Sequence, residues 1–248
     1  MAERPPSLTD PKSSSVKGGE DVSGLVERAS RLSTSGLSDA LDKLGIPGQI
    51  AGLRPISPHH FFCGEAFTVR YRPVSSTGEN VGDYIDDVPT GWVVAIDNQG
   101  SPECTVWGDI LTETASARGI AGTVVDGTSR DSAASVDAGY PIFSRSTWMR
   151  TGKDRVTVEG INVPIVLGGV NVEPGDLLVG DLDGVVAIPR ASLAQVVEVA
   201  EAIEGVEEQI RAAVRAGQRL DHARATYGYH GLQRASGRGV TATGSQGS

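Results

Sequence analysis

The sequence predicts an α/β fold, and three observations carry the prediction. The short unbroken apolar run WVVAID (92–97) has the pattern of a strand buried on both faces, and AGTVVDG (121–127) reads as a second buried strand. Segments of helical period follow each: WGDILTETASARG (107–119) sets Ile110, Leu111, Thr114 and Ala117 at helical spacing, and SRDSAASVDAG (129–139) reads as a shorter helix. The composition agrees, since 32 Gly and 5% aromatic residues in 248 suit many tight turns and a core of Val, Ile, Leu and Ala.

Residues 1–20 and 231–248 are poor in large apolar side chains and read as disordered tails around one domain, 21–230. That domain opens on two amphipathic helices. DVSGLVERASRL places Val22, Leu25, Val26, Ala29 and Leu32 on one face, and STSGLSDALDKLG repeats the spacing and closes on Gly45. The period then shortens to two in GEAFTVRYRPV (64–74), a strand. WVVAID, the first helix, AGTVVDG, the second helix and the strand YPIFSR (140–145) make two consecutive β-α-β units with parallel strands. Residues 155–189 carry short β-branched runs broken by Gly, Pro, Asn and Asp, which predicts a strand-rich second layer. A long amphipathic helix over 191–217 and a smaller helical piece over 219–228 complete the domain.

Several function classes fall away on composition. The net charge is −9 with no Lys/Arg run, so nucleic acid is not an expected partner. No apolar run approaches the roughly 18 residues of a membrane span, so no membrane partner is expected either. The N-terminus lacks a secretory or transit pattern and Cys63 and Cys104 fit no disulfide framework, which predicts a cytoplasmic location. There is no Gly-x-Gly-x-x-Gly after a strand, no P-loop and no Gly-x-Ser-x-Gly elbow, against dinucleotide enzymes, P-loop ATPases and α/β-hydrolases. His59, His60, His222 and His230 show no metal-ligand spacing; His59 and His60, read as strand neighbours, would point to opposite faces.

The informative segments are two strand-to-helix turns. Trp107-Gly108-Asp109-Ile110-Leu111 puts the free N–H groups of a first helical turn where ligands bind in α/β sheets, at the strands' carboxyl ends. A ligand carboxylate could sit there; alternatively Asp109 only caps its helix. Arg130-Asp131 follows the next strand: the guanidinium can fork onto a carboxylate or enolate, and the carboxylate can take a hard cation such as Mg²⁺. The alternative is a surface ion pair. Two such turns on parallel strands should face one crevice, which favours the ligand reading. Lys153, after the third strand, is either a further positive group near the crevice or a solvated loop lysine.

Asp109 and Arg130, with twenty residues between them and Asp131 next, give Asp-x20-Arg-Asp. This resembles the signature of the class II 4-hydroxy-4-methyl-2-oxoglutarate (HMG) / 4-carboxy-4-hydroxy-2-oxoadipate aldolases, which share a fold with the regulator of ribonuclease activity A (RraA). The likeness continues through SGLSDAL (35–41), FCGEAFTV (62–69), ARGIAGTVVDG (117–127), NVPIVLGG (162–169), VEPGD (172–176) and GDLDGVVAIP (180–189).

The resemblance implies an α/β/α sandwich akin to a phosphohistidine swivelling domain, assembled as a homotrimer or homohexamer. It implies a metal-dependent carbon–carbon lyase that forms pyruvate, with oxaloacetate decarboxylation as a side activity. Gly108, Asp109, Ile110 and Leu111 then bind the pyruvate carboxylate, and Asp109 orients metal-bound water. Arg130 stabilises the developing enolate, Asp131 contacts Mg²⁺ or Mn²⁺, and Lys153 matches a substrate-binding lysine. One departure is Ala134, where the signature carries Glu or Asp. The rival implied by the same resemblance is a non-enzymatic regulator that binds a ribonuclease or helicase.

Overall fold

The computed structural model describes residues 21–76, 79 and 81–232. The tails predicted over 1–20 and 231–248 lie outside the described residues, except for Gly231, which ends a short 3-10 turn (Tyr229–Gly231), and Leu232.

The α/β class is the one observed. Two helices open it, α1 (Val22–Ala29) and α2 (Thr34–Leu44). Ser33 caps α2 by accepting the Gly36 N–H at 3.0 Å. Gly45 ends it in the left-handed region (φ 69°), where Ile46 N–H reaches Leu41 O and Gly45 N–H reaches Asp42 O. That pair of bonds is a Schellman motif, and a side chain at Gly45 would strain it.

The strands are β1 (Gln49–Ile50), β2 (Arg54–Pro55), β3 (Phe62–Pro73), β4 (Val93–Thr105), β5 (Gly122–Ser129) and β6 (Ile142–Thr147). They continue with β7 (Val156–Ile161), β8 (Ile165–Leu167), β9 (Val170–Val172), β10 (Leu177–Asp181) and β11 (Gly184–Ile188). Between β4 and β6 stand α3 (Asp109–Ala117) and α4 (Ser132–Ala138), and the chain closes on α5 (Leu193–Arg215) and α6 (Leu220–Thr226).

One mixed sheet runs β1-β11-β10-β3-β4-β5-β6-β2, with β7 also on β3. The strands β3, β4, β5 and β6 are parallel to one another, as two β-α-β units require. Three expectations change. The strand-rich segment is not a separate layer throughout: β10 and β11 extend the main sheet antiparallel from β3, and only the β8–β9 hairpin stands apart. Strand β4 also runs past WVVAID to Thr105, with two register shifts against β5 that carry the chain outward around residues 98–104. His59 and His60 precede β3 in a turn rather than lying in a strand.

Three clusters form the core. Phe67, Val69, Tyr71, Val94, Ile96, Val125 and Ile142 pack with Trp107, Ala115 and Tyr140 of the α3–α4 side. Leu177, Val179, Val186 and Ile188 pack under α1, α2 and α5. The alternate positions Ala66, Val93, Ala95, Val124 and Phe143 meet Ile165, Leu167, Val170 and Val172 of the hairpin. Strand β5 is buried along its whole length, its polar Thr123, Asp126, Thr128 and Ser129 included. Phe62 packs edge-to-face on Phe143 with ring centroids 4.8 Å apart. Its ring fills the space over Gly180 and Gly122, where a Cβ would stand 2.7 and 3.0 Å away, so a side chain at Gly180 would force the ring to shift and one at Gly122 would crowd it. Among the described residues no helix is long and apolar enough to cross a membrane.

Candidate active site

The two turns singled out from sequence do meet. After β4, Trp107 is buried and donates its indole N–H to Thr112 Oγ1 at 3.0 Å, and that hydroxyl donates to Gly108 O at 2.9 Å. The first turn of α3 is thereby locked to the core. After β5, Arg130 N–H donates to Trp107 O at 3.0 Å, which ties the second turn to the first. Asp131 then takes the left-handed conformation (φ 57°, ψ 42°) and begins α4.

The side chains converge on one oxygen. Asp131 Oδ2 stands 3.2 Å from Arg130 Nε and accepts the Asp109 N–H at 3.2 Å. Asp109 Oδ1 accepts the Ile110 N–H at 2.8 Å. Carboxylates of the chain therefore occupy the donors that an anionic ligand would use at this helix N-terminus. Both charged side chains of the Arg130–Asp131 pair remain nearly two-fifths exposed, so solvent screens them and the pair contributes little to stability. Gly108 is the close-approach residue: a Cβ there would meet Asp131 Oδ2 at 2.8 Å and Arg130 Nε at 3.1 Å. Its φ of −148° is ordinary extended backbone, so space and not strain calls for glycine.

A cavity of about 310 Å³ opens beside the turns. Gly108, Asp109, Ile110, Leu111 and Arg130 line it, as the sequence suggests. Asp131 lies on the other side of the guanidinium, in a neighbouring pocket of about 270 Å³ with Ser132, Thr147, Trp148 and Met149. Lys153 is exposed one residue beyond the lining Thr151 and Gly152, and its backbone N–H donates to Thr151 Oγ1. Ala134 sits in the first turn of α4, its N–H on Asp131 O at 3.0 Å.

Sequence reasoning missed Tyr71, Asp83 and Thr105, which also line the cavity. Tyr71 belongs to β3, two strands from Arg130, and Asp83 to the connection between β3 and β4; no local spacing joins them to either turn. Burial pushes the Tyr71 hydroxyl up to about 12 and the Asp83 charge adds to the shift, so Tyr71 stays a neutral donor, bonded to Val81 O at 2.8 Å. Asp126, at the end of the apolar run of β5, faces the other way. It receives Arg145 Nε and the Gly168 N–H, on the hairpin side of the sheet, where Asp97 likewise accepts the Val166 N–H.

The chemistry of the donors fits one kind of metal. Among the described residues no group of three or more His, Cys, Asp or Glu is gathered to cage an ion. Magnesium does not need a cage: it keeps most of its waters and binds through one or two carboxylates plus its ligand. Asp131 supplies a half-exposed carboxylate with Oδ1 free of hydrogen bonds among the described residues, and Asp109 stands beside it. These two residues would hold the ion.

A Legionella pneumophila protein, DlpA, is 38% identical over 213 residues; the match covers 85% of this chain but about a third (35%) of DlpA's length. A Halalkalibacterium halodurans protein named, provisionally, 4-hydroxy-4-methyl-2-oxoglutarate aldolase is 36% identical over 71% of this chain and 81% of its own. Among solved structures, an uncharacterized Pseudomonas syringae protein superposes with a TM-score of 0.77 at 42% identity, covering 82% of this chain and 97% of its own. Streptomyces coelicolor RraAS2, described as an unusual member of the RNase ES inhibitor RraA family, superposes at 0.70 with 29% identity, covering 76% and 96%. A family model described as RraA-like, aldolase/RraA, matches residues 34–187, more than half of the chain, and the chain therefore belongs to the RraA-like family.

Proposed function

We propose that the protein is a lyase that cleaves the C3–C4 bond of a 4-hydroxy-2-oxo acid, giving pyruvate and a second carbonyl compound. The observation that carries this reading is the carboxylate held between Arg130 Nε and the Asp109 N–H, both at 3.2 Å, at the edge of a 310 Å³ cavity. Those donors suit the carboxylate end of a 2-oxo acid, which would take the place of Asp131 Oδ2. The aldolase name carried by the H. halodurans relative supports the same reaction class.

In the proposed step the proton leaves the 4-hydroxyl for solvent water in the open cavity, which also returns a proton to C3 at the end; the O–H electron pair forms the new carbonyl, and the C3–C4 bond breaks. The bonding pair passes to C2–C3 and onto the keto oxygen, giving the pyruvate enolate, and C3 then takes up a proton. Arg130 meets the charge that grows on the keto oxygen, which is electrostatic catalysis and needs no Schiff base. The amides of the Gly108–Leu111 turn hold the carboxylate, and Trp107 through Thr112 keeps that turn in place. Asp131, with Asp109 beside it, would hold Mg²⁺ or Mn²⁺, which would supply Lewis-acid polarisation of the keto acid. Oxaloacetate decarboxylation shares the enolate, with CO₂ leaving where the carbonyl compound would. Assembly as a homotrimer or homohexamer belongs to the same proposal.

The second reading, a regulator of a ribonuclease or helicase, draws on the description of the Streptomyces relative. A regulator needs no cavity with an Arg and two carboxylates at its mouth, and this favours the lyase. The deciding experiment is proton exchange: pyruvate with Mg²⁺ in D₂O should lose its methyl signal in proton NMR. The loss should stop with EDTA and in Arg130→Ala. No exchange above a metal-only control would put the regulator ahead.

A further inference from the structure

Asp131 begins α4 at the N-cap position, where an aspartate side chain usually accepts an N–H of its own helix. Among the described residues it makes no such bond. Its left-handed backbone (φ 57°, ψ 42°) turns it back over the first turn of α3 instead. There Oδ2 accepts the Asp109 N–H at 3.2 Å and stands 3.2 Å from Arg130 Nε. It also lies against Gly108, so close that a Cβ on that residue would be 2.8 Å away. One oxygen thus fills a notch floored by Gly108, with an amide of a helix N-terminus on one side and a guanidinium on the other. Such donors accept a carboxylate oxygen of any origin. The occupant is not locked in, since the Asp131 side chain is 38% exposed and Oδ1 has no hydrogen bond among the described residues. It can leave by rotating toward the neighbouring pocket of Ser132, Thr147, Trp148 and Met149. All of these contacts lie within one chain and do not depend on what a second copy adds to the site.

We infer that Asp131 is a built-in competitor for the carboxylate site: its own side chain blocks the notch, and a divalent cation at Asp131 draws it out, so that cation and carboxylate ligand bind cooperatively. The inference rests on the proposed carboxylate and cation sites and adds the coupling between them. One carboxylate cannot serve both partners at full strength. While Oδ2 is shared by Arg130 and the Asp109 amide, its charge is already compensated, and a cation brought to it there is repelled by the guanidinium. The coupling is reciprocal, because a ligand carboxylate that displaces Asp131 also frees it for the cation.

Propanoate tests this without turnover, because it carries a carboxylate but no keto oxygen with which to chelate a cation. Its dissociation constant is measured on the full protein by ligand-observed NMR, in EDTA and in Mg²⁺. In EDTA, Asp131→Gly should bind propanoate roughly tenfold more tightly than the unaltered protein, since glycine suits the left-handed backbone and both the occupant and its like charge are gone. Asp109→Asn removes an equal charge from the same turn but leaves the occupant in place, and should gain no more than about threefold. Mg²⁺ should tighten propanoate binding about fivefold or more in the unaltered protein, an arm that needs no variant, and should leave Asp131→Gly unchanged. The inference is overturned if Asp131→Gly binds no more tightly than the unaltered protein, if the two variants gain equally, or if Mg²⁺ has no effect on the unaltered protein. Binding of propanoate by none of the three proteins in either condition overturns it together with the carboxylate site. If the propanoate pattern holds while pyruvate shows no methyl exchange, only the lyase step fails.

Discussion

Replacing Gly108 by Ala is the most informative small change to the site. The added Cβ would lie 2.8 Å from Asp131 Oδ2, about 0.6 Å inside the 3.4 Å at which ordinary contact begins, and 3.1 Å from Arg130 Nε. Neither contact is relieved by backbone adjustment at no cost, because Arg130 N–H is tied to Trp107 O and Asp131 is fixed at the start of α4. The ends of the Asp131 carboxylate and the Arg130 guanidinium must shift by up to about 0.6 Å, which disturbs the placement of their 3.2 Å contact. Displacements of this order in a positioned charge cost about 10² in turnover. The fold should hardly notice. Gly108 has an ordinary φ, and trading an N-cap Gly for Ala costs about 0.5–1 kcal/mol, a drop of roughly 1–4 °C in Tm for a chain this long. Pyruvate release from oxaloacetate and the rate of methyl exchange, measured beside a thermal melt, give both quantities. Turnover within about twofold of the unaltered protein, with the small Tm change seen, would refute the argument that Arg130 and Asp131 must stand where they do.

Four further outcomes are expected. Asp131→Asn should stay folded, because Asn tolerates the left-handed backbone, and should lose its Mg²⁺-dependent activity in a metal titration. Arg130→Lys should lower kcat by about 10² or more, since an ammonium cannot reproduce the guanidinium fork; a change confined to KM would demote Arg130 to ground-state binding. Phe62→Ala should destabilise by about 3–5 kcal/mol in urea, its ring being buried against Phe143 and over two glycines. Burial holds the His60 imidazole below its ordinary value, and its Nδ1 accepts the Ile142 N–H, so the unfolded chain binds this proton more readily. Its contribution is complete above about pH 6.5 and is lost as pH falls below that; His60→Gln should flatten the decline of the urea midpoint between pH 7 and 5.

The elements were legible in the sequence where periodicity and caps agree. The helical spacing and the Gly45 stop bound α2 as read, and the apolar run of β4 and the short run of β5 mark strands with no solvent face there. Periodicity says nothing about partners, however. Strands β10 and β11 have the same local pattern whether they form their own layer or extend another, and the antiparallel register of Leu177–Gly180 on β3 is a non-local fact. The bulged course of β4 past Asp97 was hidden for a related reason, because Asn98, Gln99 and Gly100 look like the end of a strand. At the site, the two turns could be paired because both follow parallel strands. Asp83 and Tyr71 could not, since only the folded connection after β3 brings them to the cavity.

The left-handed backbone at Asp131 has a consequence for how this protein tolerates change. Of the twenty side chains, Gly, Asn and Asp hold such a conformation at small cost, so Glu or Ser, which could also offer oxygen to a cation, are penalised there by the chain itself. The substitutions the backbone accepts are the ones that remove the charge. Geometry thus separates two kinds of failure at this position. A change to Asn or Gly leaves a well-folded scaffold without its chemistry, whereas one that keeps an oxygen ligand on a longer or branched side chain strains the turn that carries it.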